Sequence, residues 1–184
     1  MGENIILIGF MGSGKTSVGK ALSKKLRIPV LDTDDLIVSR EGMSIKKIFA
    51  EKGQDHFRQA ETDMLESLTG REDRFILSAG GGLPLREENR RLLRKIGTVI
   101  YLKTGVRALC TRLEGDTKRP LLQGPGSLEE KITRILTERE SRYEAAADLV
   151  LVTDDLTVEE AAEKIIQLPK VSGLWAGPGS SENR

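Results

Sequence analysis

The sequence predicts an α/β protein in which three layers, α/β/α, surround a five-stranded parallel sheet. Three observations carry that prediction. Short β-rich apolar runs recur five times: NIILIG at 4–9, PVLD at 29–32, RFILS at 74–78, TVIYL at 98–102 and DLVLV at 148–152. They are nearly continuous in apolar character, as strands buried on both faces are. The segments between them are longer than hairpins need and place apolar residues at helical spacing, the pattern of parallel strands joined by helical crossovers.

Taken in order, the first run leads into GFMGSGKT at 9–16, and a helix begins inside that glycine loop, with Val18, Leu22 and Leu26 on one face. The stretch 33–69 joins the second and third strands with two helices instead of one, the second running from Ser44 to about Leu68. Helices are expected at Arg86–Lys95, Val106–Leu113, Leu128–Ala146 and Val158–Leu168. The stretch EGDTKRPLLQGPGS at 114–127 is rich in Gly, Pro and charge and lies between helices without a strand of its own, so it is a candidate mobile lid. The last sixteen residues, 169–184, lose all periodicity and are expected to form a disordered tail, with Trp175 its one candidate anchor. A single domain over 1–168 follows.

Composition excludes several classes of function. Lys and Arg number 29 against 28 Asp and Glu, a net charge of +1, which gives no bulk attraction to nucleic acid or to an anionic membrane. No apolar run approaches the roughly 20 residues of a membrane span. The lone Cys110 has no internal disulfide partner, and the N-terminus lacks the pattern of an export signal. A soluble cytoplasmic monomer is expected.

GFMGSGKT fits G-x-x-x-x-G-K-[ST] in its proper setting, after a strand and at the start of a helix. Gly9, Gly12 and Gly14 let the backbone wrap closely around phosphates, so that N–H groups from Gly12 to Ser17, Ser13 among them, point at the nucleotide. Lys15 then reaches the β- and γ-phosphates, and the Thr16 hydroxyl ligates Mg²⁺. A dinucleotide site is disfavoured, because G-x-G-x-x-G with a ribose-binding acid at the usual remove has no place here.

Asp32, Asp34 and Asp35 follow PVL at the carboxyl end of a parallel strand, where open α/β sheets hold ligands. Strand alternation would send Asp32 and Asp34 to the same side of a cleft facing the glycine loop on an adjacent strand. One can hold water on Mg²⁺ while the other accepts a proton from a hydroxyl being phosphorylated. The competing role is structural: Thr33, Asp34 or Asp35 can cap a helix starting near Leu36, and Asp35 is the better purely structural acid.

From here the chain resembles a known family. GFMGSGKT, DTD at 32–34, FRQAE at 57–61, SAGGG at 78–82, RPLL at 119–122 and ERESRY at 138–143 occur in order over roughly residues 3–168. Together they resemble the shikimate kinases, small P-loop kinases related to nucleoside monophosphate kinases. The resemblance implies ATP and shikimate as substrates, with Mg²⁺ as cofactor. It implies that Asp34 binds the hydroxyls of shikimate and acts as base, and that Asp32 supports the metal through water. Arg58 and Arg139 would hold the carboxylate, Gly80, Gly81 and Gly82 would line the acceptor pocket, and Arg119 would swing in with the lid.

The residue types suit those roles. Two arginines from different helices present planar forks that match a carboxylate better than lysines do. Glu61, one turn after Arg58, either orients it or forms an ordinary surface pair. Three successive glycines strip side chains from one patch of wall. Pro120 stiffens the loop carrying Arg119, whereas Arg139 lies among Arg134, Arg142 and several glutamates, as a solvated face would. VTDDLT at 152–157 lacks the basic adenine-packing residue that the family often places there. His56, with no second ligand at metal spacing, and Cys110 are read as structural. A gluconate-type kinase shares the phosphate loop and the anionic acceptor. A nucleoside monophosphate kinase suits a chain with 4 % aromatic residues less well. A regulator that keeps the loop without catalysis is the non-enzymatic alternative.

Overall fold

The computed structural model describes residues 4–116 and 119–175. Strands β1 (Asn4–Ile8), β2 (Val30–Asp32), β3 (Ile76–Ser78), β4 (Gly97–Lys103) and β5 (Leu149–Val152) form one parallel sheet in the order β2-β3-β1-β4-β5. The chain steps outward from β1 in both directions, so the switch point lies at the carboxyl end of β1, where α/β sheets open a crevice. β3 therefore stands between β1 and β2, and the expectation that the glycine loop and the acids leave adjacent strands is corrected. Two parallel pairings share one register point, Ile76 facing Ile5 on one side and Val30 on the other.

Alternation along β1 divides the core. Ile5 and Leu7 face a layer made by α1 (Lys15–Leu26) and α7 (Val158–Gln167), packed through Val18, Leu22, Ala161 and Ile165. Ile6 and Ile8 face the opposite layer, made by α3 (Ile45–Leu68), α4 (Glu87–Ile96), α5 (Val106–Leu113) and α6 (Leu128–Ala146). α2 (Thr33–Glu41) precedes α3 within the insertion. Gly53, at φ 82° and ψ 174°, breaks the helical course of α3 and redirects the chain before Phe57 and Arg58. Capping boxes at Ser127–Glu130 and Thr157–Glu160 start α6 and α7.

Two expectations change at the helix ends. α2 begins at Thr33 rather than near Leu36, and its cap is Asp32, whose Oδ1 accepts from the Asp34 backbone N–H at 3.0 Å. Capping thus belongs to the residue ending β2, not to Asp34 or Asp35. The expected disordered tail is corrected over its first seven residues, which form α8 (Pro169–Trp175) with Val171 fully buried against the α1–α7 layer. A single apolar residue at the right distance from α7 suffices to dock a short helix, a signal too weak to read as periodicity. Residues 176–184, and the side chain of Trp175 as an anchor, lie outside the described residues. Among the described residues no helix is long and apolar enough to cross a membrane.

Candidate active site

Two cavities open at the carboxyl end of the sheet and share a wall. The larger, about 590 Å³, is floored by the glycine loop, Gly12 to Ser17. Gly12 and Gly14 adopt φ 81° and 91°, conformations open to glycine at no steric cost, and they curl the loop into a concave rim of backbone N–H groups. Lys15 Nζ lies inside this rim, donating to the carbonyls of Gly9 at 2.9 Å and Phe10 at 2.8 Å. Burial, aided by the positive charge of Arg119, lowers its pKa to about 8, while Asp32 and Asp34 oppose the fall. No described carboxylate lies within ion-pair distance of this ammonium, so an incoming phosphate would be its first contact counter-charge.

Beside the loop three hard oxygen donors cluster. Thr16 Oγ1 donates to Asp32 Oδ2 at 3.1 Å and lies 3.2 Å from Ser78 Oγ. Asp32 spends one oxygen on capping α2 and the other on Thr16. Asp34, on the first turn of α2, lines the same cavity. The two acids are neighbours because one caps the helix that carries the other, not through strand alternation. Burial, and then the negative charge of Asp32, raise the pKa of Asp34 above the usual carboxylate range. Asp35 is exposed and does not cap α2, so the structural role expected of it falls to Asp32.

The smaller cavity, about 210 Å³, is walled by Gly80–Gly82, by Arg58 and Glu61 of α3, and by Arg139 of α6. Asp34, Arg119 and Met11 line both cavities and so mark their junction. Arg58 Nη1 donates to Glu61 Oε2 at 2.6 Å, and the side chains are only 18 % and 2 % exposed, so this is not an ordinary surface pair. Burial raises the pKa of Glu61 although Arg58 opposes the rise.

The glycine wall makes room for the site's own charged groups. A methyl group on Gly82 would stand 2.6 Å from both terminal nitrogens of Arg58, and one on Gly80 would stand 2.9 Å from Asp34 Oδ1. Only side-chain-free backbone lets the guanidinium and the carboxylate lie against this turn. Thr33, not a cap, accepts from the Gly80 N–H at 2.8 Å and ties the turn to α2. Behind the wall the buried Asn89 accepts from Thr62 at 2.8 Å and donates to the Leu83 carbonyl at 3.0 Å, bracing the turn on α3.

Of the segment 114–127, Arg119 lies at the junction and pairs with Asp116 at 3.0 Å. Lys131 holds the far end of that loop, donating to the carbonyls of Leu122 at 3.2 Å and Gly124 at 2.6 Å. Residues 117 and 118 lie outside the described residues.

The comparisons with known proteins bear on this geometry. A sequence profile described as shikimate kinase matches residues 11–169. The chain belongs to the shikimate kinase family. The shikimate kinase of Geobacter metallireducens is 45 % identical over 163 residues, covering 89 % of each chain. That of Thermodesulfovibrio yellowstonii is 43 % identical over 165 residues, covering 90 % of this chain and 94 % of the relative. The solved shikimate kinase of Acinetobacter baumannii, in complex with shikimate, superposes with a TM-score of 0.82 at 38 % identity, over 90 % of this chain and 91 % of that one.

Every residue that the shikimate kinase resemblance singles out lines one or both cavities. Sequence reasoning missed four others. Ser78 opens SAGGG with no chemical signature of its own, yet it meets Thr16. Arg112 of α5 lines the larger cavity and donates to the Thr153 carbonyl at 2.8 Å, supplying a cation on the wall where VTDDLT offers none. No local pattern marks it, because only the pairing of β4 with β5 brings α5 beside Thr153. Asp116, the partner of Arg119, sits three residues before it. Tyr143 lies one helical turn after Arg139 and reaches the acceptor wall from behind, through the Gly81 carbonyl. His56 meets Glu41 at 3.1 Å, and among the described residues no group of three or more His, Cys, Asp or Glu gathers as a metal site.

Proposed function

We propose that this protein transfers the γ-phosphate of ATP to the 3-hydroxyl of shikimate, giving shikimate 3-phosphate for chorismate and aromatic amino acid biosynthesis. The observation that carries this assignment is the junction: a phosphate-loop cavity and a smaller, arginine-lined cavity meet at Asp34 and Arg119. A small acid with ring hydroxyls fits the second cavity, its carboxylate on Arg58 and Arg139 and a hydroxyl on Asp34. The hydroxyl oxygen attacks the γ-phosphorus as its bond to the bridging oxygen breaks, ADP departs, and the hydroxyl proton passes to Asp34. A carboxylate whose pKa lies above the ordinary range is a better proton acceptor for this step than an unperturbed one. Lys15 and the loop N–H groups hold the β- and γ-phosphates, and Arg119 faces the charge that builds on the transferring group. Arg112, on the wall of the larger cavity, would pack against the nucleotide base.

The oxygen cluster of Thr16, Asp32 and Ser78 fits Mg²⁺, which takes few protein ligands and completes its shell with water and phosphate. Thr16 would bind it directly and Asp32 through water. Bound there, the ion would supply charge neutralisation for the transferring phosphates. A single domain over 1–168 with 33–69 as the acceptor-binding insertion, a lid at 114–127 that closes when both ligands are bound, and a cytoplasmic monomer free of nucleic acid and membrane complete the proposal.

Steady-state ADP release with a panel of acceptors tests the substrate. Shikimate should stimulate release, while gluconate and nucleoside monophosphates should not; equal stimulation by gluconate would assign the site to a sugar acid.

The three arginines should separate kinetically. Arg58→Ala and Arg139→Ala each remove a charged contact made in the ground state, so KM for shikimate should rise by about 10- to 100-fold. Arg119→Ala should instead lower kcat by about 100-fold or more, because its contact is made mainly in the transition state. Initial rates over both substrates check this. An Arg119 variant that keeps kcat and loses only shikimate affinity would move Arg119 into the carboxylate clamp.

A further inference from the structure

Tyr143 is buried in α6, yet its hydroxyl reaches the acceptor wall and donates to the Gly81 carbonyl at 2.6 Å. Its ring packs at a tilt of 32° against Tyr101 of β4 with centroids 5.3 Å apart, which fixes where the hydroxyl stands. Arg139 lies four residues earlier on the same helix and lines the same cavity as Gly81, near enough to the hydroxyl to oppose the burial-driven rise of the phenol pKa. A phenol has one proton to give and lone pairs to offer. With the proton committed to Gly81, the lone pairs are left for Arg139.

We propose that Tyr143 is a positioning residue for acceptor binding: its hydroxyl, pinned to the Gly81 carbonyl, holds the Arg139 guanidinium against the glycine wall and aims it into the acceptor cavity. Of the three arginines that line the acceptor cavity, Arg139 alone has no carboxylate partner among the described contacts, whereas Arg58 has Glu61 and Arg119 has Asp116. The tyrosine does for Arg139 what Glu61 does for Arg58, with a neutral group that leaves the full positive charge for an anionic ligand. Burial raises the phenol pKa while Arg139 opposes the rise, so the hydroxyl keeps its proton at neutral pH and has it to donate.

The inference rests on the assignment of Arg139 to the shikimate carboxylate, and a double-mutant cycle separates the two. Tyr143→Phe keeps the packed ring and the buried volume and removes only the hydroxyl, so the fold should persist with a lower melting temperature. KM for shikimate should rise about five- to tenfold, the effect of one ordinary hydrogen bond lost from the positioning of Arg139, while kcat and KM for ATP stay within about twofold. In an Arg139→Ala background the same substitution should leave KM for shikimate unchanged. A merely structural tyrosine would lower the melting temperature and the active fraction with KM unmoved, and that result, or an equal rise in KM in both backgrounds, overturns the inference. If Arg139→Ala alone leaves KM for shikimate at the wild-type value, the carboxylate assignment itself falls and the inference falls with it.

Discussion

Lys15→Ala is expected to lower turnover by about 100- to 1,000-fold while the protein stays folded. The lysine is the one cation that the glycine loop carries within itself, tied to the Gly9 and Phe10 carbonyls and so set in place before any nucleotide arrives. A preorganised charge aimed at the transferring phosphoryl group is typically worth about 3 to 4 kcal/mol in the transition state. The loop should survive its loss, because its shape comes from the positive φ of Gly12 and Gly14 and from the Ser13 N–H on the Phe10 carbonyl at 3.1 Å. The ammonium is also disfavoured by burial, so removing it takes away a cost along with three hydrogen bonds. Circular dichroism and single-turnover rates check both halves. Wild-type turnover in a folded variant would remove Lys15 from the chemistry.

Asp34→Asn is expected to abolish most phosphoryl transfer and to hold or raise the melting temperature at neutral pH. The fold raises the pKa of this carboxyl, so its ionised form is destabilised relative to the unfolded chain. The sign is then set: the cost of the charge is absent below the unfolded pKa and is incurred as pH rises through the folded one. An amide of the same size removes that cost. It cannot accept the hydroxyl proton, and losing a general base typically slows a reaction by about 100- to 10,000-fold. Capping of α2 is unaffected, since Asp32 performs it. A variant that loses stability but keeps activity per folded molecule would return Asp34 to a structural role.

These two residues also mark how far the sequence could be read. Lys15 sits in a local motif whose strand, loop and helix are contiguous, so spacing alone located it. Asp34 was found for a partly mistaken reason. Strand alternation would apply had β2 continued past Asp32, but the chain enters α2 there. The insertion of β3 between β1 and β2 was likewise invisible, because sheet order depends on which crossovers pack, and no residue within β2 encodes its neighbour. The same long-range packing hid Arg112 and the brace of Thr62, Asn89 and Leu83, whose members lie up to 27 residues apart. Glycine chemistry was legible in kind but not in purpose. SAGGG announced a bare wall, and the structure adds that Arg58 and Asp34 are what occupy the cleared space. α8 escaped notice because seven residues ending in a Gly- and Pro-rich stretch carry too little pattern to outweigh their composition.

The central claim is direct transfer from ATP to a ring hydroxyl across the junction at Asp34. Phosphorus-31 NMR of the protein with Mg²⁺, ATP and shikimate tests it most directly, since it sees every phosphorus species at once. The account predicts one new phosphomonoester resonance, coupled to the proton on carbon 3 of shikimate, growing in step with ADP and absent without shikimate. Inorganic phosphate growing in step with ADP instead, with no phosphomonoester signal, would contradict it.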